Sequence, residues 1–100
     1  MAQRAYVNII RRYGQILVAS CDADLLGKTL NHGKIKFEIC PEFYGDSLLE
    51  LEEVIKIIKK ATIANLIGSN IVERAIKEGL VHPEAILLIS GIPHAQIMRY

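Results

Sequence analysis

Two short polar stretches carry residue types and spacing that chemistry could use: Gly68-Ser69-Asn70 and Ser90-Gly91-Ile92-Pro93-His94. The first interrupts an apolar run just before a helix pattern. A helix that starts there presents free amides and the positive end of its dipole, a ready seat for a phosphate or carboxylate. The second carries His94, an imidazole able to act as general base or ligand near neutral pH. Each stretch also has a plainer reading. Gly68 stands alone, with neither a G-x-G-x-x-G nor a G-K-[ST] signature, so it can simply permit a tight turn. His94 can be a structural imidazole in a proline turn, and Ile92-Pro93 is a candidate cis bond. Gly68, Ser69, Asn70, Ser90, Gly91 and His94 are therefore the candidate ligand-binding residues.

Other chemistry is thinner. Cys21 beside Asp22 has the type of a nucleophile, but no paired histidine lies near it in sequence, and a packed thiol fits better. The carboxylates between residues 38 and 53 are spread along the chain and form no acid–base pair. No two potential zinc ligands have finger spacing, so no metal site is expected. No catalytic residue and no cofactor is implied. Arg11-Arg12-Tyr13-Gly14, with Arg4 and Tyr6 upstream, is the one basic and aromatic cluster. Arginine would contact phosphate there and tyrosine would stack on an exposed base. Arg4, Arg11, Arg12 and Tyr13 are the candidate RNA contacts; the plainer reading is an exposed hairpin end.

The elements that must position these residues follow from periodicity. Ile71, Val72, Ala75 and Ile76 share one helix face, with Glu73, Arg74, Lys77 and Glu78 opposite. Ser69 or Asn70 suits its start and Gly79 its left-handed end. Thr62–Ile67 before it reads as a strand, although Ile63, Leu66 and Ile67 also fit helical spacing. Ala85–Ile89 after it is a continuous apolar run, expected to be a buried parallel strand. Together they predict a right-handed βαβ unit. Open α/β sheets bind ligands beyond the carboxyl ends of their strands, which would bring both polar stretches to one sheet edge. His94 would then stand within reach of the helix N-terminus, with an anion between them.

Upstream, Tyr6–Arg12 and Gln15–Ser20 flank Tyr13-Gly14 as a β-hairpin. Cys21–Gly27 reads as a turn or a single helical turn with Asp22 as its cap. Lys28–Gly33 reads as a polar connector. Lys34–Cys40 alternates Ile35, Phe37 and Ile39 against Lys34, Lys36 and Glu38, the pattern of a strand with one dry face, stopped by Pro41 and expected as the third strand of the mixed sheet. Glu42–Asp46 reads as an aromatic loop. Ser47-Leu-Leu-Glu50 matches a capping box, predicting a helix from Ser47 to about Lys60 with Leu51, Val54, Ile55 and Ile58 inside.

One hundred residues without repeat or linker make one domain. At 51% hydrophobic residues, the chain is on the apolar side for its size, and the excess must enter the core or a partner surface. The apolar runs are too short to span a bilayer, and the N-terminus has no signal-peptide pattern, so the chain reads as cytosolic. Cys21 and Cys40 then read by default as two reduced thiols, with a disulfide the alternative in a hyperthermophile. The net charge of +1 makes the basic cluster local and excludes a generally basic protein.

Several stretches together resemble one known family. They are C-D-x-x-L-L-G-K from Cys21 to Lys28, E-F-Y from Glu42 to Tyr44 and A-T-I-A-N-L-I-G from Ala61 to Gly68. E-G-L-V-H-P from Glu78 to Pro83 and G-I-P-H-A-Q from Gly91 to Gln96 complete the set. They resemble the archaeal domain of unknown function 424 over nearly the whole length. The resemblance implies a small archaeal cytosolic protein and carries over no reaction, ligand or catalytic residue. The expected fold is α/β: one small domain with a mixed sheet, an N-terminal hairpin, a C-terminal βαβ unit and two main helices. Two functions fit. One is a non-catalytic binding module contacting RNA or a ribonucleoprotein, the translation apparatus included. The other is a small-molecule or anion-binding protein, an enzyme included, using Gly68–Asn70 and Ser90–His94.

Overall fold

The computed structural model describes residues 3–45 and 47–99. Its first strands are β1 (Arg4–Arg12), β2 (Gln15–Asp22), β3 (Thr29–His32), β4 (Ile35–Glu38) and β5 (Ser47–Glu50). Later in the chain come β6 (Ile63–Ile67), β7 (Leu87–Ile89) and β8 (Ile92–Met98). The helices are α1 (Pro41–Tyr44), α2 (Leu51–Lys59) and α3 (Ser69–Lys77). The main body is a six-stranded mixed sheet in the order β5-β1-β2-β6-β8-β7. β1 and β2 form the expected hairpin around Tyr13-Gly14. Both turn residues have positive φ, 50° and 78°, the geometry that lets a two-residue turn follow the strand twist. β6 is a strand, which settles the ambiguity of that segment, and it lies parallel to β2. Thr62 fastens the start of this pair: its hydroxyl accepts from the Ile16 amide at 2.9 Å, and its own amide donates to the Ile16 carbonyl at 2.8 Å.

α2 and α3 pack on one face of the sheet. Leu51, Val54, Ile55 and Ile58 are the buried face of α2, as their spacing predicts. α3 buries Ile71, Val72 and Ala75. It ends in a Schellman motif: the Gly79 amide donates to the Ile76 carbonyl and the Leu80 amide to the Ala75 carbonyl. The two helices are laced by exposed ion pairs, with Arg74 between Glu52 and Glu78 and Lys59 on Glu78. Such pairs contribute a few tenths of a kcal/mol each, so the apolar interface beneath them holds the layer.

Four expectations are corrected. First, Ser47–Glu50 is not a capping box but β5, paired antiparallel to β1 from Arg4↔Glu50 to Val7↔Ser47. The helix starts at Leu51, and its cap residue Glu50 makes no side-chain cap bond. A cap is worth about 1 kcal/mol, whereas leaving β1 as the sheet edge would forgo a whole backbone ladder. Ser47→Ala is therefore expected to leave the melting temperature unchanged within error; a drop of several degrees in a thermal melt would restore a capping role.

Second, Lys34–Cys40 does not join the main sheet. Its strand, β4, pairs with β3, a segment expected to be connector, in a separate two-stranded sheet. The dry face is graded: Ile39 is fully buried, Phe37 half-buried and Ile35 67% exposed. Third, Ala85–Ile89 is not a buried strand. Pro83–Ala85 makes a 3-10 turn, and β7 is the sheet edge with Leu87 and Leu88 more than half exposed. β7 runs parallel to β6, but β8 lies between them, antiparallel to both. The adjacent parallel pair is β2–β6.

Fourth, Asp22 does not cap a local turn; it ends β2, and its side chain reaches the start of α3. The aromatic stretch Glu42–Asp46 is in part the single helical turn α1; Asp46 lies outside the described residues. α1 and the β3–β4 hairpin cover the second face of the sheet over Ala19, Cys21, Ile67 and Ile89. The Ile92–Pro93 bond is trans.

Candidate functional site

The polar corner at the end of β6 forms as the topology requires, but its groups do not converge. Ile67 pairs with His94 across β6 and β8, and the Gly68 amide donates to the Pro93 carbonyl at 2.9 Å. Ser90 and Gly91 form the β7–β8 turn, with φ of 52° and 80°, beyond the same sheet edge. The backbones are thus neighbours. The side chains part according to the two-residue period of a strand. Ala95, next to His94, is buried with the helices, so His94 points to the opposite face. There its ring meets Phe37 edge-on, centroids 5.7 Å apart.

The start of α3 is already engaged. The Asn70 amide donates to Asp22 Oδ2 and the Ile71 amide to Asp22 Oδ1, both at 2.9 Å. The carboxylate sits in the place that sequence alone assigns to an external anion, over the helix dipole. Gly68, at φ 125°, makes room for it: a Cβ there would collide with the Asp22 carboxyl group. Burial pushes the Asp22 carboxyl up from its ordinary range, while the two amide bonds pull the other way. Local sequence suggests only a turn cap for Asp22, because the parallel β2–β6 register, Cys21↔Ile67, is what carries it to Gly68. Its neighbour Cys21 is fully buried, and burial with the nearby Asp22 charge raises the thiol to about 12, which makes it inert. Cys40 is also a free thiol. No cluster of three or more histidine, cysteine, aspartate or glutamate side chains suited to a metal occurs among the described residues.

Burial lowers the His94 pKa. The unfolded chain then takes up a proton below about pH 6.5 more readily than the folded chain does. The resulting stabilisation is complete above that pH and is lost as pH falls through the lowered folded value. His94→Leu is expected to flatten stability against pH in this window, as read by urea midpoints. Because Asp22 takes the Asn70 and Ile71 amides and His94 faces away, phosphate is expected to leave the His94 NMR titration unmoved; an upward shift would reopen the corner as an anion site.

The other candidate cluster divides. Arg4 pairs across from Glu50 at the far end of β1. At about 3.3 Å per residue it lies some 26 Å from Arg12, too far to share a contact with the turn. Tyr6 packs on the second core. Arg11, Arg12 and Tyr13 stay together at the turn, and Tyr13 is 100% exposed. A shallow depression of about 340 Å³ runs from Tyr13 and Arg12 onto the sheet, where Ile10, Leu17 and Ile63 line it.

Comparison with known proteins agrees with this architecture. The fold is shared with the crystal structure of an uncharacterized conserved protein from Methanopyrus kandleri. The two superpose with a TM-score of 0.80 at 23% identity, over 97% of this chain and 94% of that one. No curated protein matches the sequence. Residues 10–100 match the family described as protein of unknown function DUF424, and the chain belongs to that family.

Proposed function

We propose that this chain is a non-catalytic, cytosolic RNA-binding module of an archaeal ribonucleoprotein, the translation apparatus included, which grips RNA with the β1–β2 turn. One observation carries the reading. Tyr13 is wholly exposed beside Arg11 and Arg12, and it occupies a position that costs the fold stability. A turn with positive φ at both central residues favours Asn-Gly, and a bulky aromatic at φ 50° is an outlier. An exposed aromatic held in strain, with two arginines just before it projecting to opposite faces of the hairpin, is suited to stacking on a base while arginine holds phosphate. The alternative, an anion or small-molecule site at Gly68–Asn70 and Ser90–His94, loses support because Asp22 already holds the Asn70 and Ile71 amides. Among the described residues no helix is long and apolar enough to cross a membrane.

The test separates fold from function. Tyr13→Asn is expected to be at least as stable as the parent chain, by about 0.5–1 kcal/mol of relieved backbone strain, yet to bind RNA more weakly. Arg11→Ala with Arg12→Ala is expected to reduce RNA affinity and the slope of log affinity against log salt by about one to two, as phosphate contacts are lost. A parent chain with no RNA retention at low salt, or a double variant with an unchanged slope, would sink the reading.

A further inference from the structure

The sheet has one covered and one half-open face, and the register shows which residues lie on the open part. Residues paired across strands share a face. On the helix-covered face Ala64, Leu66, Ala95 and Ile97 are all buried. On the other face, α1 and the β3–β4 hairpin cover the end that carries Ala19, Cys21, Ile67 and Ile89. Towards the β1–β2 turn that face lies open. Ile10, Leu17, Ile63 and Met98 pair in one row across four strands. The first three are half-buried and Met98 is 51% exposed. Beside this row Asn65 pairs with Gln96, the first half-buried and the second exposed. Beyond it Arg12 pairs with Gln15, and Tyr13 follows in the turn.

We infer that a single RNA strand runs from the turn across this open half-sheet, its bases lying on the row from Ile10 to Met98 and their edges read by Asn65 and Gln96. The inference rests on the RNA reading of the turn and extends it to a path and a mode of recognition. Charge favours this occupant: among the described residues the open rows carry Arg12 and no acidic side chain, while Arg11, paired with Ile16, lies on the helix-covered face. The acidic Glu42 stands at the covered margin, where Asn8 donates to its carbonyl. Side-chain amides offer both donor and acceptor, as unpaired base edges require. The patch spans four strands about 4.8 Å apart and about 13 Å along them, room for about two or three bases, the number that a four-stranded RNA-binding sheet accommodates.

The test is fluorescence anisotropy of a short labelled single-stranded RNA of mixed sequence, titrated at several salt concentrations. Asn65→Ala and Gln96→Ala are each expected to weaken binding about fivefold, one hydrogen bond's worth, without altering the salt slope. At the exposed Met98, Met98→Glu is expected to weaken binding at least tenfold, while Met98→Lys holds or tightens it. Circular dichroism melts check that all four variants fold. If the turn variants lose binding while these four bind like the parent chain, the sheet path is overturned and the turn reading stands. If the parent chain binds no RNA, both fail. Equal loss with Met98→Glu and Met98→Lys would make the row an apolar docking surface and overturn the RNA path. A parent dimer in sedimentation that both Met98 changes abolish would assign the face to a second copy, which also overturns it.

Discussion

Asp22→Ala is expected to lower stability by about 3 kcal/mol, or about 15 °C in melting temperature for a domain of this size. The Asp22 carboxylate is 5% exposed and accepts from two amides at the start of α3, Asn70 and Ile71. Alanine removes both acceptors, and water has poor access to the orphaned donors. Each buried unsatisfied amide costs about 1–3 kcal/mol. Asp22→Asn keeps one acceptor oxygen but turns an amide group toward the second donor, so about half the loss is expected. Hydrogen exchange localises the effect: the Asn70 and Ile71 amides should exchange faster in Asp22→Ala even after correction for global stability. A variant that melts like the parent chain would show that α3 starts without this carboxylate.

Gly68→Ala is expected to cost about 2–4 kcal/mol, and by a mechanism that a double-mutant cycle can separate. A side chain at φ 125° strains the backbone, which costs about 1–3 kcal/mol. The new Cβ also collides with the Asp22 carboxyl group. That group is short and pinned by two amides, so it can yield only by giving up the cap. With Asp22→Ala in the background the collision is gone, and Gly68→Ala should then cost the strain alone. The two losses therefore combine to less than their sum, with a coupling of about 1–2 kcal/mol. Gly91→Ala is the control: Gly91 also has positive φ, but nothing lies within 4 Å of a Cβ placed there, so strain alone is expected. Strict additivity in urea denaturation would mean that Asp22 and Gly68 do not share one corner.

What local sequence determined here is what needs only local contacts. The inner faces of α2 and α3, the Gly79 terminus and the Tyr13-Gly14 turn were all legible, because helical periodicity and turn conformations depend on residues within a few positions of each other. The membership of the family was legible too, from short stretches scattered along the chain. Tertiary structure decided whatever depends on a partner far away in sequence. Ser47–Glu50 carries a helix-start pattern, yet it pairs as β5 because β1 offers a ladder that no capping side chain can match. Leu87 and Leu88 look like core and lie at an edge, because β8 folds back between β7 and β6. Ser90, Gly91 and His94 do reach the sheet edge beside Gly68, but a strand alternates its faces, and His94 falls on the side away from α3. The carboxylate that fills the α3 terminus comes from 48 residues upstream, brought there by the parallel register of β2 and β6. Periodicity carries no information on register between distant strands, and that register separates the open, amide-bearing rows of this sheet from its sealed core.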